Sequence, residues 1–309
     1  MSLRLIHAGA CTLLVDGGRP RSRSLGIPLG GAADRGAWKI ANALIGNPPE
    51  TVTLEIALAG PHLIAEKSVS LALFGAPFRM ERDGVAIPTG TCFHLRCGQT
   101  LKIGPALKGC RAYLAVAGGI QSPEILASHS SFTPLQNGTI LETFSIASSL
   151  RSLPASSISP LLSNEIDPGL IRILPGPQHE WFDSSSWGSR TFRVSPASNR
   201  MGIRLEGEVF TRSPREMISE PVAPGAIQIT NEGLPIILGV DGQTIGGYPK
   251  IAHVIRADLD RLAQLQPHEV IRFQRISIEE AENESRNHQR RVQEWLTRLQ
   301  IADRIPARF

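Results

Sequence analysis

The sequence predicts a mainly β protein in two halves of similar size, on three observations. Short β-type runs recur between turn signals along almost the whole chain. The 309 residues include 29 glycines and 23 prolines, about one residue in six, which turn-rich β architectures tolerate and helical bundles do not. A Ser/Pro-rich stretch without periodicity, residues 148–169, divides the chain, and 309 residues are enough for two domains. The expected domains are residues 1–150 and 165–309, the second ending in a helix.

Taken in order, Leu3–Ile6, Thr12–Val15, Thr53–Leu58, Val69–Phe74, Thr91–Leu95, Leu101–Ile103 and Ala112–Ala117 read as strands. Asp83-Gly84 between Phe78–Arg82 and Val85–Ile87 reads as a hairpin turn. One helix interrupts this half: Asp34 is its N-cap, Trp38, Ala41, Leu44 and Ile45 form its apolar stripe, and Gly46-Asn47-Pro48-Pro49 stops it. The second half restarts as β at Ile171–Leu174, Phe192–Val194, Ile203–Leu205, Ala226–Ile229, Pro235–Leu238 and Ile251–Val254. A short helix follows around Asp258–Leu265, then a strand at Val270–Phe273. Residues 278–302 carry a long helical pattern with Val292, Trp295, Leu296 and Leu299 on one face.

Composition excludes several classes. Charged residues are 19% and aromatics 5%, which argues against a disordered chain and against a nucleic-acid groove. The net charge is +4, and 27 of the 32 basic residues are Arg, whose planar fork suits carboxylates, phosphates and amide oxygens. Cys92-Phe-His94-Leu-Arg-Cys97 does not suit a metal, because on a strand Cys92 and His94 face one way and Cys97 the other. Cys11, Cys92, Cys97 and Cys110 are expected as reduced structural thiols. No signal-peptide pattern and no apolar stretch long enough for a membrane helix is visible, so a soluble cytoplasmic protein is expected.

Four segments combine glycines with polar side chains. Gly26-Ile-Pro28-Leu-Gly30-Gly31-Ala-Ala-Asp34-Arg35, leading to Asn42, lets backbone approach a ligand, although capping alone also accounts for Asp34. Arg111 and Tyr113 share one face of a strand that ends in Gly118-Gly119. Ser195-Pro-Ala-Ser198-Asn199-Arg200 presents a polar loop in which Arg200 suits a carboxylate, a phosphate or a surface ion pair. The richest segment pairs Gln228, an amide inside an apolar strand that needs a partner, with Asp241, Gln243, Thr244, Gly246, Gly247, Tyr248 and Lys250 in one Gly-rich loop. That density of acid, amide, hydroxyl and amine suits a small polar, amide-like substrate. Asp241, Tyr248 and Lys250 are the catalytic candidates. Asp34, Asn42, Arg111, Arg200, Gln228, Gln243, Thr244, Gly246 and Gly247 are the substrate-binding candidates, and no metal site is expected. No Ser-His-Asp order, G-x-S-x-G, H-E-x-x-H or P-loop occurs.

The same segments resemble the C subunit family of bacterial ATP-hydrolysing 5-oxoprolinase, also called allophanate hydrolase subunit 2 or the Kip antagonist family, which is similar to part of the carboxyltransferase region of urea carboxylase. The resemblance rests on Gly26–Asp34-Arg35, Ala41-Asn42 to Gly46-Asn47, Leu54-Glu55, Arg111–Gly119, Gly176-Pro177-Gln178, Asn199-Arg200-Met201-Gly202, Pro224–Gln228 and Gln243-Thr-Ile-Gly246-Gly247-Tyr248-Pro249-Lys250. It runs in order from about residue 10 to about residue 280. The chain departs from the family at Ser128-His129-Ser130, where a Gly-Ser-Arg-Ser-Thr-like stretch is usual, and at Gly242, where an Arg is usual.

The resemblance implies two tandem cyclophilin-like β-barrel domains, and a complex with a B-like (Kip inhibitor-like) partner subunit and an A-like one. It implies ATP-driven opening of 5-oxoproline to glutamate, with ATP bound by the complex or by this chain. Two alternatives stand beside it. One is a carboxyltransferase subunit moving a carboxyl group from biotin to a urea-like nitrogen. The other is a non-catalytic antagonist that holds a Kip-inhibitor-like partner.

Overall fold

The computed structural model describes residues 2–144, 151–153, 167, 169–182, 190–211, 215 and 217–302; most of the 148–169 linker lies outside the described residues. The chain forms two compact units that are not two successive stretches. Unit 1 takes Met1–Gly18, Asp34–Ser163 and Arg290–Phe309, and unit 2 takes Arg19–Ala33 and Asn164–Gln289.

Unit 1 holds β1 (Ser2–His7), β2 (Cys11–Val15), β3 (Thr53–Ala57), β4 (His62–Ala65), β5 (Val69–Gly75), β6 (Phe78–Arg82), β7 (Val85–Ala86), β8 (Cys92–Leu95), β9 (Thr100–Ala106), β10 (Arg111–Val116) and β11 (Ile140–Glu142). They form a six-stranded sheet in the order β11-β1-β4-β9-β6-β7 and a five-stranded sheet in the order β2-β3-β10-β5-β8. Period-2 alternation supplies the core between them: Leu3, Leu5, Leu63 and Leu101 meet Leu54, Ile56, Leu71, Leu73 and Leu114 in one buried cluster. The helix Arg35–Ile45 starts at Asp34, whose carboxylate accepts from Ala37 N at 2.9 Å, and ends at Gly46 in the left-handed conformation, φ 88°. Trp38 on this helix is fully buried, a contribution of roughly 1.5–3 kcal/mol for a large apolar side chain. The expected hairpin is present, with Glu81 opposite Ala86 and Arg82 opposite Val85.

Unit 2 holds β12 (Leu170–Pro175), β13 (Thr191–Val194), β14 (Gly202–Gly207), β15 (Glu220–Pro221), β16 (Ala226–Ile229), β17 (Pro235–Leu238), β18 (Ile245–Gly246), β19 (Lys250–Val254) and β20 (Val270–Arg275). Seven of them close into a barrel, β12-β19-β16-β17-β14-β13-β20, sealed by the parallel pairing of β20 with β12. Its interior contains Ile171, Ile227, Ile237, Ile251 and a group of phenylalanines. Phe192 stacks on Phe210 at 5.9 Å between ring centroids and lies 5.6 Å from Phe273. The two remaining strands, β15 and β18, form a separate two-stranded ribbon. The short helix is Leu259–Leu262, and the long C-terminal pattern is the 25-residue helix Ile278–Ala302. Arg172 anchors this region: its guanidinium reaches Asp258 at 2.6 Å and Glu284 at 2.8 Å.

Residues Arg19–Ala33, early in the sequence, run through unit 2 as a strap. Arg23 donates to the Val222 carbonyl, Gly30 N donates to Val240 O at 2.9 Å, and Gly31 O accepts from Arg200 at 2.7 Å. The Gly26–Asp34 motif is therefore divided, its glycines in unit 2 and Asp34 in unit 1.

Candidate functional site

The polar residues of the Gly-rich loop gather around β16, β19 and the β15–β18 ribbon. A register shift in the β16–β19 pairing places Lys250, not Ile251, opposite Gln228. Both side chains are buried and lie on the face away from the barrel interior, where Ile227 and Ile251 sit. Gln228 Nε2 donates to the Tyr248 carbonyl at 3.1 Å, which fixes the orientation of its amide. Lys250 Nζ donates to Glu220 Oε2 at 2.5 Å and to Pro221 O at 3.3 Å. The Lys250 backbone N donates to Gln178 Oε1 at 3.0 Å, and Gln178 Nε2 reaches Glu220 at 3.3–3.4 Å. Gly176 makes this packing possible, since a Cβ there would lie 2.2 Å from the Lys250 carbonyl.

Gly246 is the centre of the arrangement. A methyl carbon built on it would lie 2.8 Å from Gln228 Nε2 and 2.9 Å from Gln243 Nε2. The Gln228 and Gln243 amides therefore pack directly against the Gly246 backbone, and any side chain at this position would have to displace them. Gly247 is exposed and its added Cβ would lie 3.4 Å from Ser219 Oγ. Thr244 is buried, with its carbonyl accepting from Val222 N at 2.9 Å. The Tyr248 side chain is 37% exposed.

The electrostatics follow from the pairing. The Lys250 ammonium holds the Glu220 carboxyl below the usual carboxylate range, so Glu220 is ionised at neutral pH. Burial, aided by the Lys250 charge, lowers the pKa of nearby His253 and keeps its imidazole neutral.

The other expected residues have different settings. Arg200 and Asp241 meet each other: Nε and Nη2 of Arg200 reach Oδ2 and Oδ1 of Asp241 at 2.7 and 2.8 Å, a bidentate fork. With Gly31 O on the same nitrogen, this pair clasps the 19–33 strap. Asp34, Asn42 and Arg111 belong to unit 1. Asp34 N donates to Tyr113 Oη at 2.7 Å, Tyr113 Oη donates to Glu55 Oε2 at 2.8 Å, and Arg111 Nε reaches Glu55 Oε1 at 3.2 Å. Burial first, then the Glu55 charge, pushes the Tyr113 phenol well above its usual pKa, so it stays a donor. Asn42 is fully buried and serves the loop after its helix, donating to Thr51 O at 2.7 Å and accepting from Asn47 Nδ2 at 3.1 Å.

Sequence reasoning passed over Glu220 and the role of Gln178. It also passed over Asp16, whose Oδ1 accepts from Ser128 Oγ at 2.6 Å and Ser130 Oγ at 2.5 Å, while Oδ2 accepts from His129 N at 2.6 Å. Burial alone would raise the Asp16 carboxyl, but these bonds and the Gly18 amide hold it below its usual value. The Ser128-His129-Ser130 departure is thus the clamp around Asp16. Among the cysteines, Cys92 Sγ donates to Leu44 O at 3.1 Å and Cys97 Sγ to Glu66 O at 3.1 Å. Burial pushes the Cys92 thiol up to about 11, leaving it a poor nucleophile. No helix among the described residues is long and apolar enough to cross a membrane.

A β barrel carrying packed amides beside a Lys–Glu pair fits one class of enzyme module. The family model for the carboxyltransferase domain, subdomains A and B, matches residues 25–275, and the chain belongs to this family. Within it, the chain is similar to the C subunit of 5-oxoprolinase from Escherichia coli strain K12, with 37% identity over 96% of this chain and 98% of that protein. It is also similar to urea amidolyase of Saccharomyces cerevisiae, at 30% identity over 90% of this chain and 17% of that protein. The crystal structure of the K. lactis urea amidolyase superposes with a TM-score of 0.86 at 26% identity, covering 95% of this chain and 20% of that one. These relatives are enzymes or enzyme subunits, and the chain spans about a fifth of the length of the urea amidolyases.

Proposed function

We propose that the chain is a subunit of a 5-oxoprolinase-like complex that opens a small cyclic amide with ATP, each of its two compact β-rich units being one cyclophilin-like domain. The observation that carries this reading is the polar cluster packed around Gly246, the Gln228 and Gln243 amides beside the Lys250–Glu220 pair. A lactam carbonyl is resonance-stabilised and unreactive, and donors aimed at its oxygen polarise it and stabilise negative charge that develops there. Lys250, Tyr248 and the ionised Glu220 add an ammonium, a phenol and a carboxylate to the same segment of the unit. In this reading Lys250 is a cation held in place, and Tyr248, the most exposed of the three chemical groups the sequence singled out in this loop, meets the substrate from the solvent side.

The donor set fits an amide and not a triphosphate. Arg200 and Lys250 are each engaged by a carboxylate of their own unit, and the chain has no P-loop. ATP chemistry is therefore assigned to the complex, through an A-like partner, with a B-like protein as the direct partner. The cytoplasm is the compartment that goes with such a complex.

The carboxyltransferase reading draws on the urea amidolyase relatives and the family model. The ureido ring of biotin, a C=O between two N–H groups, meets the same donors, which would hold it by its oxygen. One assay set separates the readings. The chain purified with its A-like and B-like partners is tested for 5-oxoproline-dependent ATP hydrolysis, which is the expected outcome. Carboxyl transfer from biotin without that hydrolysis replaces it with the second reading, and tight partner binding with neither activity replaces it with the antagonist reading.

A further inference from the structure

We propose that the mouth of the unit 2 barrel binds a small apolar carboxylate, held by Arg275. This site is separate from the polar cluster at Lys250 and does not rest on the amide reading.

A cavity of about 320 Å³ opens along β12, β19 and β20. β12 lies between the other two strands in the barrel, parallel to β20 and antiparallel to β19. The end of β12 at Pro175, the end of β20 at Arg275 and the start of β19 at Lys250 therefore fall at one rim. Barrel mouths are a common place for ligands, and this volume lies at the lower end of the usual range of roughly 300–1,000 Å³. Ile173, Ile251, Ala252 and Phe273 line the cavity and belong to the barrel core. Such walls suit a hydrocarbon body, with each buried CH₂ strengthening binding about fourfold.

The charges at the cavity are of one sign. Arg272 and Arg275 line it, and no carboxylate does so among the described residues. Asp167 already engages Arg272. Arg275 has neither an ion pair nor a hydrogen-bond partner among the described residues. The register sets it level with Ile173, and it follows Phe273 by two residues, so it projects on the face that Phe273 turns to the core. Its planar fork matches a carboxylate with two parallel hydrogen bonds. His179 completes the wall: Nδ1 lies 2.8 Å from the Gly176 carbonyl, which only accepts, so that nitrogen carries the proton and the ring is fixed. The ligand that answers these features has a carboxylate at one end and an apolar chain of about six to eight carbons. The Lys250–Glu220 pair stands on the other face of β19 from Ile251 and takes no part.

The test is calorimetric titration of the full chain with octanoate, with octanamide as its neutral isostere and with butyrate as its short form. Octanoate is expected to bind at least about tenfold more tightly than either of the other two. Arg275→Met, with its thermal midpoint checked against wild type, is expected to lose that tenfold for octanoate and to leave octanamide binding unchanged. Arg204→Met, at an exposed arginine of β14, is expected to behave as wild type. No octanoate binding at millimolar concentration overturns the proposal. Equal binding of octanoate and octanamide by wild type, or undiminished octanoate binding by Arg275→Met, removes the role of the guanidinium and overturns it as well. Equal binding of butyrate and octanoate shows that the apolar walls are not used, and an equal loss in Arg204→Met shows attraction by net charge alone; either result also overturns it.

Discussion

The polar cluster of unit 1 and that of unit 2 use nearly the same parts and end in opposite states. In unit 1, Asp34, Tyr113, Glu55 and Arg111 form a chain of bonds of 2.7, 2.8 and 3.2 Å around a fully buried phenol. Each group spends its capacity on the next, and the result locks the start of a helix to a central strand. In unit 2, Glu220, Lys250 and Gln178 also bond to one another, but the Glu220 side chain is 41% exposed, so the cluster reaches solvent. What separates the two networks is therefore less the kinds of residue they contain than whether any of their groups stays within reach of solvent.

This contrast can be broken in four ways. The largest effect is expected from Gly246→Val. The new side chain collides with the flexible ends of Gln228 and Gln243, which move aside, so the fold survives while the amides are displaced. 5-Oxoproline binding should weaken by about a hundredfold, roughly 3 kcal/mol, read by titration beside an unchanged thermal midpoint. Tyr113→Phe should act the other way round. It removes the hydroxyl that joins Asp34 N to Glu55, and unfolding in urea should show a loss of about 1–3 kcal/mol with ligand affinity unchanged. Lys250→Met should come next. It leaves Glu220 without its ammonium, so the Glu220 carboxyl should move back up toward the ordinary Glu value, followed by the pH dependence of 5-oxoproline affinity between about pH 4 and 7. The smallest effect is expected from His253→Gln. The His253 pKa is lowered in the folded state, so its contribution to stability is complete above the unfolded value of about 6.5 and is lost as pH falls through the folded one. The variant should flatten the fall in stability below about pH 6.5, measured by urea midpoints at several pH values.

Most strands were legible as short apolar runs between turn signals: Val69–Phe74 and Ala226–Ile229, both almost wholly buried, were read within a residue of their observed ends. The helix at Arg35–Ile45 was legible from its cap, its stripe and its stop. The shortest missed elements share one cause. Ile140–Glu142 has three residues, and Glu220–Pro221 and Ile245–Gly246 have two each, too few for a period to show. The first unit spreads its strands over two sheets while the second closes a ring, and no local pattern records which strands close on which.

The site was legible by residue type and not by pairing. Gln228 stood out because an amide in an apolar strand needs a partner, and Gly246 because it opened a polar loop. Arg200 and Asp241 were both singled out as ligand groups, yet they face each other, a pairing across 41 positions that depends on the register of β14 and β17. Glu220 was invisible because it lies in a polar stretch without periodicity, and only the fold brings it to Lys250, 30 positions on.

The strap of Arg19–Ala33 also bears on how the protein is made. This segment is synthesised before the rest of its own unit, yet its partner Val240 follows about 200 residues later, so its hydrogen bonds are among the longest-range in the chain. Until then the glycine-rich segment has no surface to settle on. Unit 2 can be finished only after its last strands have been produced, and a fragment starting at residue 165 would lack one of its own parts.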